Sequence, residues 1–168
     1  MNKNLLVSFA LCAWSLTTAC GSPFNIDHQL PGDDISVRSV LPEAVGDVQG
    51  EIDCNYVILQ TYKGGLWHSY QAGERCTAVY GELGTIWAAK MESAADAGTF
   101  FDKEIFTLET ADKMEAHGPE EGFADYTLRD THDSGFMWRK ATWVFDIKGG
   151  TSADRDTLVE AFEYISPL

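Results

Sequence analysis

Residues 1–20 constrain this chain more than any other stretch, because they take themselves out of the fold and set the compartment of what remains. Lys3 supplies a positive start, Leu5 to Leu16 form a short apolar run, and Thr17, Thr18 and Ala19 are small residues ahead of Cys20. That layout reads as a secretory signal. A membrane-spanning helix needs about 20 apolar residues, and this run falls well short of that. The segment is therefore expected to address the protein and then leave it. Export also places the rest of the chain where a disulfide can persist.

The end of the signal, Thr17-Thr18-Ala19-Cys20, resembles the lipobox of bacterial lipoproteins, in which small residues precede a cysteine that becomes the lipidated first residue. Thr17 stands where that family prefers Leu, and the Leu of this chain lies one place earlier, at Leu16. An ordinary signal peptidase site of the small-x-small kind would cut at the same bond. The resemblance implies a signal peptide over 1–19, acylation of Cys20 (palmitate among the acyl chains) and attachment to a membrane through that lipid. Gly21 after the cysteine, in place of Asp, implies outer-membrane retention in a Gram-negative envelope, facing the periplasm or the surface.

Cysteine arithmetic agrees. Of Cys12, Cys20, Cys54 and Cys76, the first leaves with the signal, and lipidation of Cys20 leaves Cys54 and Cys76 as one even pair. These two are expected to form a disulfide. They have no CxxC spacing that would suggest redox or zinc chemistry.

Charge narrows the partners. The formal net charge is −14, and loss of Lys3 with the signal makes it −15. Nucleic acid, whose phosphates need a basic surface, is excluded as a partner. So is electrostatic attachment to anionic lipid headgroups. A cationic protein partner fits, and acidity also keeps an exported domain soluble.

Residues 20–50, with Pro23, Pro31, Pro42, Gly32, Gly46 and Gly50, read as a lipidated N-terminus and flexible tether ahead of a single domain over 51–168. Ile52 to Tyr62 read as a strand ending at Lys63-Gly64-Gly65, with two more strands at Leu66–Tyr70 and Arg75–Tyr80. Thr85–Ala97 reads as a helix, Phe100–Leu108 as a strand, Thr110–His117 as a helical turn and Phe123–Leu128 as a weak strand. Phe136–Ile147 reads as one long strand. A last helix follows Thr151 or Ser152, with Leu158, Phe162 and Ile165 on one face. The sum is an α+β fold: a mostly antiparallel sheet with two helices packed on one face and one disulfide.

Three constellations bear on function. The loop Asp130-Thr131-His132-Asp133-Ser134-Gly135 fails as an EF-hand, because Ala141 stands at the twelfth position where a bidentate Glu is needed. His132, Asp133 and Ser134 are the candidates for a small secreted hydrolase, with His117 as a second possible base, against a polar turn of suitable residues. The mature histidines show no zinc spacing, and no phosphate-binding or nucleophile-elbow motif occurs, so no metal or cofactor is expected. Trp67, Trp138 and Trp143 are candidate ligand-contact aromatics for a glycan or a protein partner. The leading expectation is a non-catalytic, lipid-anchored envelope lipoprotein with a binding or scaffolding domain.

Overall fold

The strand signals of the sequence resolve into one long sheet in the computed structural model, which describes residues 30–108, 111–117 and 121–164. The expected signal segment and Cys20, with the lipobox-like residues before it, lie outside the described residues. In chain order the strands are β1 (Ala44–Val45), β2 (Val48–Gln49), β3 (Glu51–Lys63), β4 (Leu66–Val79) and β5 (Gly84–Met91). Helix α1 (Ala94–Thr107) follows, then β6 (Ala111–His117), β7 (Glu121–Leu128), β8 (Ser134–Lys140), β9 (Trp143–Gly149) and helix α2 (Ser152–Ala161). β1 and β2 form a small ribbon, and the other seven form one sheet in the order β3-β4-β5-β9-β8-β7-β6. Every neighbouring pair is antiparallel. The chain lays down β3 to β5, crosses to the far edge through α1, and meanders back until β9 pairs with β5.

The α+β class, the antiparallel sheet and the Cys54–Cys76 disulfide stand as expected. The helices, however, lie on opposite faces of the sheet. Ile86 and Ala88 of β5 share a core with Leu158 and Phe162 at α2, whereas Trp87 and Ala89 share one with Phe100, Phe101 and Ile105 of α1. Alternate strand residues point to opposite faces, so the two helices cannot share one. This is also why Thr85–Met91 is a strand and not a helix. A strand covered on both faces reads as a continuous apolar run, and Ala88 and Ala89 are small enough to admit a layer on each side.

Three further segments depart from expectation. Phe100–Leu108 belongs to α1, capped by Ser93, whose hydroxyl accepts from the Asp96 N–H at 3.1 Å. The Thr110–His117 turn is instead strand β6. Phe136–Ile147 is a hairpin, with Lys140 facing Trp143 across a two-residue turn in which Ala141 takes φ 50°. Such turns need a positive φ that Asn or Gly usually supplies, and Ala carries no such signal. Because Trp138 and Trp143 sit on different strands, both face the α2 core and stack on Phe145 at 4.3 and 5.5 Å.

The expected tether also shortens. Val37, Val40, Leu41 and Val45 are buried in the α2-side core, and the Tyr80 hydroxyl donates to the Pro42 carbonyl at 2.6 Å. Proline and glycine punctuate this stretch, yet its scattered valines complete the core.

Cys54 and Cys76 occupy directly facing positions of β3 and β4. Replacing both with Ala is expected to lower stability by about 3 kcal/mol in the chain-entropy account of a loop this size. Urea unfolding checks it, and an unchanged midpoint would show that the hairpin holds without its bridge.

Candidate functional site

Two places on the molecule concentrate chemistry. The first is the outer part of the β3–β4 hairpin. β5 pairs with β4 only over Gly73–Val79, so residues 58–63 and 66–71 pair with each other alone and project beyond the sheet. The departure point is a bulge: Val57 faces Gly73 and Ile58 faces Gln71, leaving Ala72 without a partner on β3. Bulges bend a strand and increase its twist, and this one lies where β4 loses its pairing with β5.

One face of the arm is aromatic and bare. Tyr56, Ile58 and Tyr62 lie on one face of β3, two and four residues apart with Gln60 between the last two, and Trp67 lies directly opposite Tyr62 on β4. Their exposures are 66%, 50%, 61% and 69%, and the Tyr62 and Trp67 rings sit 5.2 Å apart. Isolated exposed apolar residues are ordinary, but four on one face of one hairpin mark an interaction surface. The other face is anchored to the body, where Leu59 is buried and the Tyr70 hydroxyl donates to the Asp96 carboxylate at 2.7 Å. Residues 55–73 hold none of the chain's 26 carboxyl-bearing residues, while Asp53 and Glu74 flank them.

The second place is a cleft of about 180 Å³ between the C-terminal half of α1 and the sheet. At its floor lies Asp146 of β9, only 4% exposed. The Tyr126 hydroxyl donates to Asp146 Oδ1 at 2.9 Å. Tyr126 reaches it because β8 offers Gly135 directly opposite: a Cβ there would stand 2.2 Å from the Tyr126 ring. The ring lies across that bare position and delivers its hydroxyl one strand further on.

Burial pushes the Asp146 carboxyl up to about 7, with the nearby Glu104 adding to the rise. The Tyr126 hydroxyl, Lys148 and the Trp87 indole pull it back down. Tyr126 itself is driven far above the usual phenol range, first by burial and then by Asp146, so it stays a proton donor. A carboxyl that titrates near neutrality inside a cleft is a functional-site signature. In the sequence Asp146 falls within Phe136–Ile147, the stretch that reads as one long strand, and has no motif around it. The signal that could have found it was a carboxylate inside the most apolar strand of the chain.

The hydrolase candidates are not brought together. Ser134 is buried and its hydroxyl accepts from Arg155 at 3.0 Å, while Arg155 also holds Asp125 at 3.1 Å. Asp133 turns to Lys148 at 3.6 Å, and His132 is exposed in the β7–β8 turn with φ 62°. No hydrogen bond joins the three among the described residues, and the side chain of His117 lies outside them. Of the candidate aromatics, Trp67 is exposed, whereas Trp138 and Trp143 are 0% and 2% exposed and pack in the core. Cys54 and Cys76 lie close to Glu74, yet as a disulfide they offer no thiolate to a metal. No helix among the described residues is long and apolar enough to cross a membrane.

No family model and no curated protein matches the chain. A crystal structure described as a GTP binding regulator from Thermotoga maritima is similar in fold at 15% identity and a TM-score of 0.49. The match covers 81% of this chain and 93% of that one. A likeness of that degree bears on neither site.

Proposed function

We propose that the chain is an exported, lipid-anchored envelope protein whose domain binds a basic protein partner through the aromatic face of the β3–β4 arm. The observation that carries the binding part is the bare row of Tyr56, Ile58, Tyr62 and Trp67. Interfaces concentrate their energy in central aromatic residues and keep charge at the rim. The arm has that anatomy: its aromatic residues carry no charge, Lys63 is confined to the tip, and Asp53, Glu74 and the acidic body surround its base. The net charge draws in a basic partner, and the aromatic rings then hold it. The anchor part rests on the lipobox-like ending at Cys20.

The hydrolase reading is dropped, since Ser134, Asp133 and His132 face different partners. The glycan reading loses the two tryptophans it needed and keeps only the Tyr62–Trp67 pair.

A photoreactive residue at position 67, in producing cells, is expected to yield an adduct with a basic protein. The yield should fall as salt rises, and the same group at Phe106, exposed on α1, should give none. Acyl labelling of the parent beside Cys20→Ala tests the anchor separately. Equal adducts at both positions would defeat the binding claim, and an unlabelled, soluble parent would defeat the anchor.

A further inference from the structure

We infer that the cleft over Asp146 binds a small organic cation, an alkylammonium whose charged head meets the carboxylate and whose carbon chain lies against Trp87, Leu108, Leu128 and Met137. This is independent of the arm and of the partner it takes.

Three features with negative potential converge there. Asp146 forms the floor and Glu104 lines the wall. Thr107 and Leu108 end α1 at the same cleft, and the last turn of that helix holds no basic residue. A helix C-terminus carries partial negative charge and favours cations. The cation already present, Lys148, makes its ion pair with Asp133 at 3.6 Å and not with Asp146. Asp146 thus takes its hydrogen bonds from neutral donors, the Tyr126 hydroxyl and the Trp87 indole, while Lys148, on the same cleft, acts on it only through its field. Buried charge of that kind is costly until a counter-charge arrives.

The lining chooses the kind of cation. Calcium takes six to eight oxygen ligands. Here two carboxylates and the hydroxyls of Thr85, Thr107 and Tyr126 share the cleft with the Lys148 ammonium, an indole, a thioether and two leucines. Aromatic and aliphatic walls suit an ammonium with a carbon tail, and the Trp87 and Tyr126 rings can add cation–π attraction. A volume of about 180 Å³ lies below the 300–1,000 Å³ typical of sites for drug-sized ligands, so the guest is small.

The test uses the mature, oxidised chain with n-butylammonium chloride as probe and 1-butanol as its neutral counterpart. An NMR titration should show saturable shifts of the Trp87 indole N–H at millimolar butylammonium, with none from butanol in that range. Asp146→Asn should weaken binding at least about tenfold, as expected for loss of a charge-assisted contact. Glu104→Gln, on the outer wall, should weaken it by a smaller factor. Calorimetry near pH 6 in two buffers of different ionisation enthalpy should show proton release, since an ammonium draws the proton off Asp146. Butanol binding as tightly as butylammonium, or no saturable binding, overturns the inference. So does an unchanged affinity in Asp146→Asn that keeps its fold. Should Asp146→Asn not fold, unchanged affinity in Glu104→Gln without proton release overturns it equally.

Discussion

Gly135→Ala is expected to destabilise the domain by roughly 3 kcal/mol, combining overpacking with a lost hydrogen bond to a buried acceptor. The added methyl would stand 2.2 Å from Cζ and 2.3 Å from the hydroxyl oxygen of Tyr126. A surface tyrosine would swing aside at little cost. Tyr126 is 3% exposed, and its hydroxyl is committed to Asp146 at 2.9 Å. Moving the ring therefore leaves Asp146 short of a donor and disturbs the core beneath α1. The cause can be isolated by a double-mutant cycle. Tyr126→Ala should cost about 3–5 kcal/mol by itself as an aromatic truncation. In that background Gly135→Ala should cost almost nothing, because the clash is gone and the methyl fills vacated space. Urea unfolding of the four proteins measures the coupling. Additive costs would mean that the glycine is needed for the β8 backbone and not for the path of the tyrosine.

The parts of the fold that were legible in the sequence are those whose local signals agree with their surroundings. β3 ends where Gly64 and Gly65 take positive φ, and of the two caps expected for α2, Thr151 or Ser152, it is Thr151 whose hydroxyl accepts from the Asp154 N–H at 3.2 Å. The disulfide followed from cysteine parity. The middle of the chain was read wrongly for a physical reason. Ala88 and Ala89 carry helix propensity, yet they sit inside a sheet covered on both sides, where packing overrides propensity. Once β5 is taken for a helix, α1 shifts with it. The hairpin at Ala141 hides because no Gly or Asn marks it, and in a single regular strand Trp138 and Trp143, an odd number of residues apart, would face opposite sides. The arm was legible only as an aromatic-rich strand. That its rings are bare depends on β5 ending its pairing at Gly73, a tertiary fact. Asp146 is not legible as a site, because a carboxylate two residues before Lys148 looks like the wet face of a strand. Only the arrival of α1 over that face makes it a buried acid.

Asp146→Asn should make the domain more stable at neutral pH and less dependent on pH. In the unfolded chain the carboxyl has its ordinary value of 3.8, whereas in the fold burial raises it to about 7. Below the lower value it is protonated in both states and imposes no penalty. Between the two values the folded state holds a proton that the unfolded state has released, so stability falls as pH rises. Above about 7 the buried carboxylate is ionised and its full penalty is present. A shift of this size corresponds to on the order of 4 kcal/mol. The other carboxylates and the net charge of −14 also act over this range. Glu104 and Asp133 face the site with like charge and Lys148 with opposite charge, so the parent's slope is a sum. The difference between variant and parent removes the common part. That difference should grow steadily in favour of Asp146→Asn from pH 4 to pH 8, because the amide oxygen can still accept from Tyr126 without carrying charge. Urea midpoints at half-unit steps of pH would trace it. Parallel curves for the two proteins would mean that Asp146 titrates as an ordinary carboxyl, and a parent more stable above pH 7 would mean that its charge is compensated in the fold.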